Sequence, residues 1–302
     1  MSTSTTKTLE LICEFFGVGE PKRFKPAGGY ANKNFEVDTG KGDYFFKIVQ
    51  EHSIENLRAE IQYTCHLAST GFPCPSPIKN KDGDSIFRCA GNSVVVLPFI
   101  KGKSHDTTTN ERIAQLGRTL AQLHPIKCDT LQPRNTWWFA GFLDSALKLA
   151  KEHYEKDSLD HLEKKIAWLQ QNQIDDLPQI IVHGDSWPGN AIFDGEQLVA
   201  LIDWEETTIG YSIYVLAYLA IHGALLNGKF EPGLFNTLIH AYENIRKLSV
   251  AERQHFNKTV QRIACTNYLW LLLKSRDETT NPDNLWCTQW YRNLELEKLR
   301  LL

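Results

Sequence analysis

His183-Gly184-Asp185-Ser186-Trp187-Pro188-Gly189-Asn190, followed after a short hairpin by Leu201-Ile202-Asp203-Trp204-Glu205, is the stretch on which the reading of this chain turns. Each piece follows an apolar run of strand type, Ile180 to His183 and Leu198 to Ile202, so its polar side chains stand at a strand end. Ala191 to Phe193 and Leu198 to Ile202 flank Asp194-Gly195, a tight-turn pair. A hairpin of that length returns Asp203 toward Asn190 and gathers hard oxygen ligands suited to a cation such as Mg²⁺. Phosphoryl transfer asks for little else: an acceptor for the proton of an attacking hydroxyl, and ligands for a cation among nucleotide phosphates. Asp185 suits the first task, and Asn190 and Asp203 the second.

The segments before this stretch change character once. Phe35 and Val37 alternate with polar residues, a turn follows at Gly40 to Asp43, and Tyr44 to Val49 is aromatic and β-branched, which predicts a hairpin. Ser53 is placed to cap a helix carrying Leu57, Ile61 and Ala68 and ending at Gly71 and Pro73. Asp82-Gly83 marks a second hairpin, and the strand Ser93 to Phe99 closes the region. From about residue 104 the spacing turns helical, beginning with Thr108 and Glu111 as a capping box before Ile113, Leu116, Leu120 and Leu123. The expectation is an α+β chain of two domains. Residues 1–100 form a small antiparallel β-rich lobe with a linker at its end, and residues 101–302 a mainly helical lobe, as two domains of about 150 residues each would suggest.

Bulk properties narrow the class. With 302 residues, 42% of them hydrophobic, the chain can bury a full core, and a net charge of −3 leaves no basic field for nucleic acid or an anionic bilayer. Seven cysteines without a C-x-x-C pair predict reduced thiols rather than a disulfide framework or a thiolate metal site. The polar residues 1–7 carry no export signal, and the longest apolar run, Ile213 to Leu226, is shorter than the roughly 18 residues of a bilayer span. A cytoplasmic protein acting on a small molecule, as monomer or homodimer, is expected. Gly223 to Lys229 resembles a P-loop but lacks its Ser or Thr and follows an apolar helix, so it is set aside. Trp137, Trp138 and Phe139 belong either to the core or to a substrate cleft.

The H-x-D-x-x-x-x-N and I-D-W motifs, in this order, resemble the aminoglycoside phosphotransferase, choline kinase and homoserine kinase group, which has a two-lobed protein-kinase-like fold. The resemblance covers nearly the whole chain. It is closest to the bacterial homoserine kinases through His66 to Pro77, Lys81 to Gly83, Leu116 to His124 and Ala241 to Glu252. It implies ATP and Mg²⁺ as cofactors, a small-molecule hydroxyl acceptor, Asp185 as catalytic base, and Asn190 and Asp203 as metal ligands. Lys47 and Glu60 fall where such folds keep a phosphate-binding lysine and its carboxylate partner, and Glu60, three residues after Leu57, flanks the buried face of its helix. Gly28, Gly29 and Asn32 fall in the place of a phosphate-covering loop, while Leu97 to Ile100, with Leu97 and Phe99, would present backbone and apolar groups to adenine.

The implied acceptor is homoserine. Trp204-Glu205-Glu206 departs from the paired aromatics usual in homoserine kinases and is similar to choline and ethanolamine kinases; Val215 stands where the group commonly has Asp. Trp187 and Trp204 are candidates to close over the acceptor, and Glu205 to receive a substrate ammonium. Choline or ethanolamine phosphorylation, aminoglycoside phosphorylation and a non-catalytic nucleotide-binding regulator are the competing readings.

Overall fold

The computed structural model describes residues 3–28, 32–50, 53–134, 140–154, 156–174, 177–226 and 229–275. The chain divides into two compact units: Met1–Lys103 with Ile192–Gly195 and Val199–Glu205, and the remainder from Ser104 on.

The first unit opens with helix α1 (Thr3–Phe16), whose Leu9, Ile12, Cys13 and Phe16 recur at three- and four-residue steps and are buried. Strands β1 (Pro21–Ala27), β2 (Lys33–Thr39) and β3 (Gly42–Val49) follow, then helix α2 (Ile54–Ser69) and strands β4 (Phe87–Cys89) and β5 (Asn92–Pro98). The strands form one antiparallel sheet in the order β1-β2-β3-β5-β4. Alternation along each strand sorts the two faces. Phe46, Ile48, Val94 and Val96 pack with α1, whereas Val49 and Val95 pack with Leu57 of α2. Lys47 has the parity of Val49, so its side chain leaves the sheet on the α2 face. Ser53 accepts a hydrogen bond from the Asn56 amide at 3.2 Å and caps α2, an interaction worth about 1 kcal/mol.

Asp82-Gly83 does not join two strands. The side-chain oxygen of Asn80 accepts from the amides of Asp82 (2.9 Å) and Asp84 (2.8 Å) and holds the segment as a loop. The hairpin turn is Ala90-Gly91, between β4 and β5, where both residues take the positive φ that tight hairpins require, 49° and 83°.

The second unit contains helices α3 (Asn110–Ala121), α4 (Ala140–His153) and α5 (Lys156–Gln171), then strand β6 (Gln179–Val182). The hairpin β7 (Ala191–Asp194) and β8 (Gln197–Leu201), most of which is grouped with the first unit, precedes β9 (Thr208–Tyr211), which pairs antiparallel with β6. Helix α6 (Ile213–Gly223), the short strands β10 (Leu225–Leu226) and β11 (Lys229–Phe230), and helices α7 (Pro232–Glu243) and α8 (Val250–Ser275) complete it. Thr109, not Thr108, caps α3, because its hydroxyl is the one that accepts from the Arg112 amide (3.2 Å).

Helix α6 is apolar nearly all round and buried, as a helix enclosed by neighbours must be. Leu147 of α4, Leu162 of α5 and Leu269 of α8 belong to one core cluster. Among the described residues, no helix is long and apolar enough to cross a membrane.

Candidate active site

Lys47 is the centre of a charged cluster in the first unit. Its Nζ lies 3.0 Å from Glu60 Oε1 and 2.6 Å from Glu205 Oε1, and the three side chains are nearly enclosed. Strand parity directs Lys47 to the α2 face, and Glu60, one helical turn beyond the buried Leu57, points back at it. Burial by itself would push the ammonium's pKa down, but Glu60, Glu205 and Asp203 outweigh it and hold it above its ordinary value. Lys47 is therefore a fixed cation at neutral pH.

Asp203 reaches this group from an exposed position just past β8, with φ 63°. A non-glycine residue in the left-handed region is uncommon, and Asp is among those that tolerate it. Such a conformation often accompanies function.

Two of the acceptor-site candidates are engaged within the protein. Glu205 is engaged by Lys47 and also accepts from Asn32 Nδ2 (2.5 Å), so its carboxylate is turned to the lysine in this structure. Trp204 is 1% exposed; its Nε1 donates to the Leu201 carbonyl (2.8 Å) and its ring meets Phe72 edge-on, so it is core and cannot close over an acceptor. Asn32 also accepts from the Gln50 amide (3.2 Å), which makes it a brace between the end of β3 and Glu205.

Gly28 is exposed at the end of β1, its carbonyl accepting from Asn34 Nδ2 (2.9 Å); Gly29 lies outside the described residues. Leu97 pairs with Phe45 inside the sheet. Phe99 donates its amide to Asp43 (3.1 Å), so that N–H is not on offer to a base.

In the second unit, β6 delivers His183 into full burial, and the chain turns at Gly184, φ 84°, where a Cβ would overlap the Glu206 carbonyl. Only glycine fits that approach. The Asp185 amide donates to His183 Nδ1 (3.3 Å), giving the histidine a structural part. A short 3-10 turn over Pro188–Asn190 then brings Asn190 back: its Nδ2 donates to the Asp185 carbonyl and to Asp185 Oδ2, both at 2.8 Å. The other carboxylate oxygen, Oδ1, accepts from the Tyr218 hydroxyl at 2.6 Å. Tyr218, on α6, carried no signal in the sequence, because nothing local links residues so far apart in the chain.

Trp187 is half-buried beside Gly189, where a Cβ would overlap its ring. Val215 is fully buried and its carbonyl accepts from Ser186 (3.4 Å), so the apolar side chain is core packing near the loop. Trp137, Trp138 and Phe139 lie outside the described residues.

Each unit thus presents a distinct tool: a carboxylate-flanked lysine in one, and an aspartate fixed through both oxygens in the other. Among known proteins, a homoserine kinase of Xanthobacter autotrophicus is 32% identical over 257 residues, covering 81% of this chain and 78% of that protein. One of Parvibaculum lavamentivorans is 29% identical over 250 residues, with the same coverage, 81% and 78%. Among solved structures, an amicoumacin kinase matches with a TM-score of 0.75 over 99% of this chain and 97% of its own, at 14% identity. A choline/ethanolamine kinase family protein from Mesorhizobium loti matches with a TM-score of 0.68 over 96% and 90%, at 17% identity. These likenesses show the α+β, protein-kinase-like fold. The family model of the phosphotransferase enzymes matches residues 24–252, a span that takes in the lysine, both strand-end aspartates and the asparagine, and the chain belongs to that family.

Proposed function

We propose that the protein is an ATP-dependent homoserine kinase, which moves the γ-phosphate of ATP onto the hydroxyl of homoserine and yields O-phosphohomoserine and ADP. Support comes from relatives of that name matched over most of their length, and from the setting of Asp185. The orientation of Asp185 carries the reading: with Asn190 on one oxygen and Tyr218 on the other, the carboxylate is held still while keeping lone pairs for a substrate hydroxyl.

In this reading Asp185 orients the hydroxyl and takes its proton as the new O–P bond forms and the bond from the γ-phosphorus to ADP breaks. Lys47, fixed by Glu60 and Glu205, offsets negative charge on the phosphates. Mg²⁺, when bound, would neutralise phosphate charge. Its protein ligands would be the Asn190 Oδ1, left over because Nδ2 spends both hydrogens on Asp185, and the Asp203 carboxylate. Those are hard oxygen donors, and Mg²⁺ is ordinarily held by few protein groups plus substrate phosphates. The N-terminal 100 residues would bind nucleotide and residues 101–302 the acceptor, in a cytoplasmic enzyme.

Measuring ADP release with homoserine, choline, ethanolamine and an aminoglycoside at equal concentration tests the assignment, with Asp185→Asn as blank. Homoserine should give the highest rate. A homoserine signal no greater than the blank would end the assignment, and another acceptor leading the series would redirect it.

A further inference from the structure

Among the described residues, the arginines of the second unit are accounted for with one exception. Arg112, Arg118, Arg246 and Arg253 each pair with a glutamate, and Arg134 donates to the Thr207 carbonyl (2.9 Å). Arg262, half-buried on α8, donates no side-chain hydrogen bond and has no carboxylate within ion-pair distance among the described residues. A guanidinium stays charged in a protein, and drawing it partly out of water carries a desolvation cost that a partner carboxylate offsets.

Two ties between α6 and α8 locate this cation. Ser212, at the start of α6, donates to Glu252 near the start of α8, and Asn267 Nδ2 donates to His222 Nε2 (3.0 Å) near the end of α6. Both links advance in the same direction, so the helices run parallel. Arg262 is ten residues after Glu252 and five before Asn267, which brings it level with the second half of α6, the stretch that carries Tyr218. The polar groups acting on its charge are Tyr214, Tyr211, Cys265 and Asp144, and burial outweighs them, holding its pKa below the ordinary value. The Tyr214 and Tyr218 rings stack with centroids 6.1 Å apart, and Tyr218 ends on Asp185.

We propose that Arg262, level with the tyrosine stack that ends on Asp185, binds the carboxylate of an amino-acid acceptor whose hydroxyl is activated at Asp185. The proposal rests on the homoserine kinase reading and deepens it by naming what selects an amino acid over a simple amino alcohol. The guanidinium fork matches a carboxylate bidentately. Choline and ethanolamine, which have no carboxylate, would leave it unpaired.

The test compares L-homoserine with 3-amino-1-propanol, which keeps the amine and the hydroxyl and lacks the carboxylate, in wild type, Arg262→Lys and Arg262→Met. Wild type should favour homoserine about 100-fold in kcat/KM, the scale expected for a buried charge pair. Arg262→Met should raise the KM for homoserine by about that factor, leave 3-amino-1-propanol and ATP within about threefold, and Arg262→Lys should recover part of the loss. Activity on 3-amino-1-propanol shows that a variant is folded. Equal loss on both acceptors, or no loss on homoserine, overturns the carboxylate site while the kinase reading stands. A wild type that ignores homoserine overturns the homoserine kinase reading and the site with it. Should neither variant fold, a wild-type preference below about threefold overturns the site, and one near 100-fold supports it.

Discussion

Lys47 sits between two carboxylates, Glu60 from α2 and Glu205 from the segment after β8, and these play different parts. The Glu60 partnership could be read from the sequence, since strand alternation and the Leu57 spacing aim both side chains at one face. The Glu205 partnership could not, because its position depends on a turn at Asp203 with φ 63° that no pattern announces. With Glu205 engaged by Lys47, Glu205→Gln is expected to raise the KM for ATP several-fold and to leave that for homoserine nearly unchanged, as steady-state kinetics with each substrate varied will show. The reverse pattern would restore Glu205 to the acceptor. Tyr218→Phe removes a 2.6 Å hydrogen bond to the proposed base and leaves the ring and its stacking in place. A charge-assisted bond of this kind is worth about 1.5–3 kcal/mol, so kcat should fall by roughly 10- to 100-fold while the KM for ATP holds. An unchanged kcat would show that Asn190 alone orients Asp185.

At the scale of elements, two half-buried histidines link helices of the second unit and set its response to acid. His124, just past α3, hydrogen-bonds the Tyr242 hydroxyl on α7, and burial, with Arg246 adding to it, lowers its pKa to about 4. His222 joins α6 to α8 through Asn267, and burial lowers it to about 3. Both folded values lie below the ordinary 6.5, so between them and that value the unfolded chain binds more protons. Their stabilising contribution is complete above pH 6.5 and is lost as pH falls toward 4 and then 3. The urea midpoint should therefore drop between pH 7 and pH 5, and His222→Gln, which keeps an acceptor for Asn267, should shrink that drop. An identical drop in the variant would remove His222 from the account. Helix and strand identities in this unit were largely legible because apolar spacing repeats over several turns. The Ala90-Gly91 hairpin and α1 were not: Asp82-Gly83 carries stronger turn chemistry than Ala90-Gly91, and the polar Ser/Thr run that opens α1 masks the Leu9, Ile12, Cys13 and Phe16 stripe.

For the molecule as a whole, the division between a β-rich region and a helical one followed from the change of period near residue 104, and the family from the order of its motifs. The braces on Asp185 and Lys47 did not, because Tyr218, Asn32 and Glu205 reach their partners only through the tertiary fold. The whole account depends on Asp185 acting in the transfer step itself. The most direct measurement is a single-turnover reaction of excess enzyme with γ-labelled MgATP and saturating homoserine, in wild type and Asp185→Asn, alongside the dissociation constant of MgATP for each. Loss of a general base predicts that label appears on the homoserine hydroxyl about 10³-fold more slowly in the variant, with MgATP binding changed by less than about threefold. Phosphohomoserine formed by Asp185→Asn at a rate within tenfold of wild type would contradict it.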